Sequence, residues 1–429
     1  MIKHHNYALG LTWMFILFVI PLPLIQTLAV GLPADYADEF QAIYFGAIAY
    51  SWMLVAIYLS TRPKWLDRLI GLPDMYVIHG ILSIAAIYLI YLHQSETESM
   101  GWIKTTGNWA YWLLLGILAY SLIFMAGWLT SRVPFIGIIK KWLEPLFKHE
   151  YSIWIHRLTL VATVLVFIHV ILINYVVAIT PFMIWFYAYS GFVLVAYVWA
   201  KVTNTKGSFR GTLTKNIEIA DNIRELTIRP NDDAKVTLLP GDYVFMSFPT
   251  IKGLRELHPF SLVNSPTDSK NIVLAIRGDG DFTRSLDGVP DGTQVKFTGG
   301  YGRYDTFLSN QPQDTNIVIL AGGIGVVPLL SVVDAHPNRN IRMFYTAHRE
   351  ADLIYGDKFK NWQNREHFQI AQQVGRFGIS EVLRSLPNDW QRNTLFLIGG
   401  PSKMMRHWKR ELRRHGVMAG QIYSEEFDW

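Results

Sequence analysis

The stretch VIHGILSIAAIYLIYLH, residues 77–93, carries a histidine near each end, His79 and His93, fourteen positions apart. WIHRLTLVATVLVFIHV, residues 154–170, repeats the arrangement with His156 and His169, thirteen apart. Ionisable side chains inside apolar segments of membrane length are rare, costly and usually functional. Fourteen helical residues rise about 21 Å and turn about 1400°, within about 40° of whole turns, so His79 and His93 share one face at two depths. Thirteen turn about 1300°, about 140° from alignment, so the second helix needs tilt or local distortion to aim both rings. Imidazoles from two helices at matched depths suit two bis-histidine haems stacked across a membrane. A proton relay is the rival chemistry, but relays enlist Asp or Glu, and neither stretch has one. A single histidine would more simply be a hydrogen-bonded core residue; four in two matched pairs argue for ligation.

Positioning these rings takes a helical bundle. Six stretches approach the roughly 20 apolar residues that a bilayer requires. They lie near 7–30, 43–60, 75–93, 109–131, 153–175 and 181–200. The first follows Lys3 but outruns a signal-peptide core and is interrupted at Pro21 and Pro23, so it is expected to stay as an anchor. Basic residues gather at Arg62, Lys64 and Arg68, and again at Arg132, Lys140, Lys141 and Lys148. The connection 31–42 has Asp35, Asp38 and Glu39 with no basic residue, and 94–108 has only Lys104. This asymmetry predicts a multi-pass protein of the cell membrane, with the N-terminus and everything after about residue 200 in the cytoplasm. The inner histidines are then His79 and His156, the outer ones His93 and His169.

Composition agrees with a chain of two characters. Of 429 residues, 51% are hydrophobic and 17% charged, apolar for a soluble protein of this length, and the apolar runs stop near Ala200. The absence of cysteine excludes disulfides, iron–sulfur clusters and thiolate zinc sites. The net charge of +5 reads as loop lysines and arginines rather than a nucleic-acid surface. There is no EF-hand loop for calcium.

Beyond residue 206, GTLTKNIEIA, RELTIRP and KVTLLPGDYVFMSFP read as short alternating strands and predict a small antiparallel barrel. HPFSLVNSP (258–266) is a Pro-aromatic-hydroxyl turn able to lie along a flat ring edge. In RGDGDFTRSL (277–286) a Gly-rich turn opens a helix and offers backbone N–H groups to a pyrophosphate. IVILAGGIGVVPLLSVV (317–333) is a buried strand, a glycine turn and a helix, the grammar of a nucleotide site at a strand's carboxyl end. IRMFYTAHRE (341–350) and TLFLIGGPSKMM (394–405) add strands that end in polar or Gly-Pro turns, so a doubly wound α/β sheet is expected.

Taken in order, these features resemble the ferric-reductase and NADPH-oxidase superfamily, from the second or third helix to the C-terminus. Paired histidines on helices three and five of a six-helix bundle carry the likeness in the first half. The second half resembles the flavin domain of the ferredoxin-reductase family, whose NADPH-oxidase members have a His-Pro-Phe-Ser/Thr signature, here His258 to Ser261. The resemblance implies a membrane all-α six-helix di-haem domain over 1–203, an FAD-binding β-barrel domain over 204–312 and an NADPH-binding α/β domain over 313–429. It pairs His79 with His156 on an inner b-type haem and His93 with His169 on an outer one. It sets Pro259, Phe260 and Ser261 along the FAD isoalloxazine, with Ser261 near the reactive N5. Arg277, Gly280, Asp281, Phe282 and Thr283 hold the diphosphate.

The likeness further implies that Gly322, Gly323, Gly325 and Pro328 bind the nicotinamide nucleotide, with Gly399, Gly400 and Pro401 near its nicotinamide. Gly399 stands where relatives commonly have cysteine. Arg349 follows the strand that reaches the adenine ribose, where a guanidinium favours NADPH, with NADH the other possibility. In the terminal EEFDW, Phe427 or Trp429 stacks on the flavin, Phe427 being the better match. The implied activity is electron transfer from cytosolic NADPH through FAD and two haems to molecular oxygen outside, making superoxide. A ferric or cupric chelate reductase of the same build is the alternative. The bilayer is the expected partner, no nucleic acid is, and protein partners are not specified.

Overall fold

The computed structural model describes residues 7–124, 149–206, 209–231, 237–266, 270–386 and 390–425, with 135 and 138. Phe427, Trp429 and the basic residues Arg132, Lys140, Lys141 and Lys148 lie outside the described residues. The chain forms two compact units. One comprises Tyr7–Leu66 and Pro73–Lys201; the other comprises Asp67–Leu72 and Val202–Glu426.

Six helices are long and apolar enough to cross a membrane: Tyr7–Gly31, Ala34–Ser60, Leu72–Ser95, Gly101–Phe124, Ser152–Ile171 and Thr180–Thr203. In the first, a π-helical turn at Phe15–Val19 precedes Pro21 and Pro23, whose missing donors a regular α-helix would not accommodate. Hydroxyls along the helices bond back to their own backbone, as Thr27 does to Pro23 O at 2.8 Å and Thr163 to Thr159 O at 2.9 Å. The fourth helix starts at Gly101, not near 109. Lys104, Thr105 and Thr106 depress the hydropathy there, but both threonines donate into the helix, to Gly101 O at 3.0 Å and Trp102 O at 2.8 Å. The polar stretch is therefore a helical turn or two, not a loop.

The second unit holds two sheets. Strands β1 (Phe209–Ala220), β2 (Ile223–Pro230), β3 (Tyr243–Ser247), β4 (His258–Ser261), β5 (Ile272–Arg277) and β6 (Gln294–Tyr301) form an antiparallel sheet in the order β4-β3-β6-β1-β2-β5. The expected barrel is not closed by a ladder: β4 pairs with β3 alone, and one bridge, Leu262 to Leu274, links its continuation to β5. A four-residue strand containing Pro259, which has no N–H, cannot sustain a second ladder. Strands β7 (Asn316–Gly322), β8 (Ile341–Ala347), β9 (Phe368–Val374), β10 (Thr394–Gly399) and β11 (Ile422–Ser424) form a parallel sheet ordered β11-β10-β7-β8-β9. Alternation along β7 shows why both faces are covered. Ile317 and Ile319 join Leu329, Leu330 and Val333 of helix Val327–Ala335, whereas Val318 and Leu320 join Met405, Trp408 and Leu412 of helix Ser402–Arg414.

Candidate functional site

The bundle brings the four histidines together in two pairs. The His79 and His156 rings lie with centroids 5.9 Å apart, and those of His93 and His169 are 6.1 Å apart. A metal held by one nitrogen of each ring at about 2 Å separates the centroids by about 6 Å. Nδ1 of His79 meets Ala56 O at 2.9 Å, that of His93 meets Ala42 O at 2.9 Å, and that of His169 meets Ile103 O at 2.8 Å. A carbonyl can only accept, so these three Nδ1 atoms carry the proton and Nε2 keeps the lone pair a metal needs. His156 Nδ1 lies 3.1 Å from Ser121 Oγ.

These anchors explain how helix five aims rings thirteen residues apart. Ile103 and Ser121 are eighteen positions apart on helix four, about five whole turns, so they share one face and steer the two rings from outside. Small residues back the outer pair. A Cβ at Gly46 would sit 3.0 Å from His93 Nδ1, and one at Gly107 would sit 3.1 Å from His169 Nδ1. Around His93 and His169 opens a mainly apolar cavity bordered by Tyr50, Leu114, Phe182 and Phe186. Among the described residues no three His, Asp or Glu side chains gather to hold an ion. Each facing pair of imidazoles fits a metal whose remaining ligands come from a macrocycle, as in haem, and at the outer pair an apolar cavity borders the rings.

In the second unit, β4 aligns Ser261 with Tyr243 and Pro259 with Phe245, leaving His258 to Ser261 half-buried. The Phe282 ring packs against His258 at 4.2 Å and Phe260 at 5.9 Å, which sets the Gly-rich turn beside β4. Within that turn Gly280 N donates to Thr283 Oγ1 at 2.9 Å, and the Thr283 hydroxyl donates to Gly280 O at 3.0 Å. Asp281 starts the short helix Asp281–Arg284, and exposed Arg277 pairs with Asp279 at 2.6 Å.

The parallel sheet reverses its strand order between β7 and β10, and nucleotides bind at such switch points beyond the carboxyl ends of strands. Both predicted glycine turns are there, packed backbone to backbone. A Cβ on Gly325 would collide with Gly400 N, and one on Gly399 with Gly325 O. The cysteine common in relatives at position 399 has no room here. Gly323 has φ +52°, and Pro328 lies in the first turn of the following helix. Arg349 is exposed and committed to carboxylates: Nε and a terminal nitrogen grip Asp352 at 3.0 and 2.7 Å, and the other nitrogen meets Asp221 at 3.0 Å. A 2′-phosphate would have to share this guanidinium with two carboxylates.

A buried charge cluster escaped the sequence reading, which counted Arg68 only as a loop cation. Arg68 forms a two-pronged pair with Asp242 at 2.6 and 2.8 Å and donates to the carbonyls of Gly300 and Gly302. Asp242 O in turn accepts from Leu262 N, the residue after β4. Asp67 accepts from Leu72 N at 2.8 Å, and burial pushes its carboxyl up to about 6. Glu425 Oε1 accepts from Arg303 N at 2.6 Å and from the Tyr423 hydroxyl at 2.7 Å, while its buried Oε2 has no partner among the described residues. The available signal was the run Gly299-Gly300-Tyr301-Gly302, whose three glycines have φ of +132°, +80° and +124°.

Burial, with Asp67 and Asp242 nearby, pushes Glu425 up from 4.5 to about 7. The fold therefore binds a proton that the unfolded chain has released, and stability falls as pH rises through this window. The gap corresponds to about 3 kcal/mol. Glu425→Gln is expected to flatten the decline between about pH 4.5 and pH 7. Urea unfolding of the detergent-solubilised protein across this range would check it, and an unchanged slope in the variant would sink the assignment.

Comparisons with known proteins bear on the second unit. Residues 211–312 match the model of an FAD-binding domain. The chain is 29% identical over 211 residues to sulfhydrogenase 2 subunit gamma of Pyrococcus furiosus, covering 44% of this chain and 71% of that protein. It is 25% identical over 126 residues to ferric reduction oxidase 8, mitochondrial, of Arabidopsis thaliana, covering 25% of this chain and 16% of that one. Among solved structures, the flavohem-like FAD/NAD binding domain of nitric oxide dioxygenase from Vibrio cholerae aligns with a TM-score of 0.45 and 16% identity, over 51% of this chain and 98% of that one. The chain thus joins six apolar helices to a unit whose residues 211–312 match an FAD-binding domain.

Proposed function

We propose that this chain is a membrane oxidoreductase that takes electrons from cytosolic NADPH and passes them through FAD and two b-type haems to molecular oxygen outside, producing superoxide. The observation that carries the reading is the presence of two facing imidazole pairs in a chain that also has an FAD-binding domain. Bound FAD supplies the exchange between a two-electron hydride donor and one-electron haem irons. The residues of the chain bind and orient. Pro259, Phe260 and Ser261 line the flavin edge, with the Ser261 hydroxyl beside the reacting position. Arg277 with Gly280, Asp281 and Thr283 holds the diphosphate, for which the Gly280–Thr283 hydrogen bonds exchange partners. Gly322, Gly323, Gly325 and Pro328 receive the nucleotide phosphates, while Gly399, Gly400 and Pro401 border the nicotinamide. Phe427 covers the flavin until nucleotide displaces it. Arg349 selects NADPH over NADH to the extent that a 2′-phosphate displaces Asp221 or Asp352. Three domains follow from these roles: 1–203 for haem, 204–312 for FAD and 313–429 for nucleotide.

His93 and His169 would hold the outer haem from its two faces, so the acceptor would be reduced without binding the iron. Because helix four begins at Gly101, only Glu96 to Met100 separate it from helix three. So short a connection suits small neutral oxygen better than a bulky ferric or cupric chelate, which stays as the second reading. The test is optical. Purified protein supplied with FAD receives NADPH without oxygen while the haem bands are recorded; oxygen or a ferric chelate then follows in separate runs, with superoxide assayed. Fast reoxidation by oxygen with superoxide supports the oxidase. Slow reoxidation by oxygen but fast discharge to the chelate supports the metalloreductase. Absence of a b-type spectrum defeats both.

A further inference from the structure

The four imidazoles are not held alike. His79, His93 and His169 each set Nδ1 against a main-chain carbonyl, at 2.9, 2.9 and 2.8 Å. His156 instead meets a side-chain hydroxyl, Ser121 Oγ, at 3.1 Å. A helix carbonyl is a fixed acceptor, so it locks the Nδ1–H tautomer, draws on that proton and makes Nε2 a stronger electron donor. A serine hydroxyl accepts more weakly, rotates, and can also donate. Both rings of the outer pair thus have carbonyl partners, whereas the inner pair has one carbonyl and one hydroxyl.

We propose that Ser121 is a positioning residue that sets the tautomer and donor strength of His156, and that this contact tunes the inner haem independently of the outer one. The inference rests on the haem reading above. Weaker donation from His156 disfavours the oxidised iron and raises the inner site's midpoint potential relative to a carbonyl-backed histidine. The exchange itself is one electron at iron, with no bond made or broken at the imidazole.

Redox titration of the full-length haem-loaded protein, followed in the b-type bands, reads this directly. A His93→Ala protein, retaining the inner site alone, assigns the inner wave. Ser121→Asp, which presents a carboxylate to Nδ1–H, is expected to shift that wave to lower potential. Ser121→Ala, which removes the acceptor, is expected to shift it higher, and Ser121→Thr to leave it in place. The outer wave stays fixed in all three. An inner wave unmoved in both the Asp and Ala proteins overturns the proposal, as do inner and outer waves moving together. Should the Ala protein fail to load haem, the Asp and Thr proteins decide: equal midpoints overturn the proposal. A wild-type protein without a b-type spectrum would count against the haem reading, whereas a full spectrum with an immobile inner wave counts against Ser121 alone.

Discussion

Replacing His93 with alanine is expected to remove the outer haem, roughly halve the b-type absorbance and cut reduction of any external acceptor by about 100-fold or more. Reduction of a soluble dye by NADPH at the FAD-binding unit should persist. The asymmetry follows from what each site depends on. The His93 ring is anchored by Ala42 O, faces His169 at 6.1 Å and borders the cavity, so alanine removes one of the two facing imidazoles there. The sheets of the second unit contain none of these atoms. Pyridine haemochrome counts on the variant, with parallel dye and external-acceptor assays, check this. An unchanged haem count would refute the pairing of His93 with His169 as ligands.

The second large effect is expected at Arg68. Asp242 is 1% exposed and Arg68 23% exposed, and the guanidinium satisfies both carboxylate oxygens. Truncation to alanine strands the carboxylate with the backbone N–H of Leu239, at 2.8 Å, as its remaining donor among the described residues, and frees the Gly300 and Gly302 carbonyls. Breaking a buried pair from one side costs about 3–5 kcal/mol, far more than losing an exposed one. Arg68→Ala should therefore lower the urea midpoint of the FAD-binding unit steeply, measured by flavin release. Arg68→Leu combined with Asp242→Asn should recover most of the loss, because no charge is then buried alone. A single variant within about 1 kcal/mol of wild type would show that the pair is not supporting the fold.

How far these features were legible depended on their range. Hydropathy found all six helices because crossing a bilayer is a property of each segment by itself. It misplaced the start of helix four because Lys104, Thr105 and Thr106 look like loop, and only their backward hydrogen bonds keep them helical. The histidine pairs were visible as spacing on helix three. On helix five spacing misled, since Ile103 and Ser121 of a neighbouring helix set the ring directions. The alternating pattern of β1 to β6 predicted an antiparallel sheet but not that Pro259 in a four-residue β4 would leave it unclosed. Gly399 looked like a departure from a motif; its reason, the Gly325 carbonyl, comes from the turn after β7, some seventy residues earlier. The adjacent pair Asp67 and Arg68 could not be grouped with Asp242 and Glu425, which are distant in sequence and meet it only once folded.

That last cluster has a bearing on biosynthesis. Arg68 precedes Asp242 by 174 residues and Gly302 by 234. At about 5–20 residues per second, the ribosome needs roughly ten to thirty-five seconds after making Arg68 to deliver its carboxylate. Throughout that interval Asp67–Leu72 must remain in water and on the side where the later domains emerge. A chain whose connection between the second and third helices cannot reach Asp242 leaves that carboxylate buried without its guanidinium. The Arg68 clamp therefore closes late, only after residue 302 has been made.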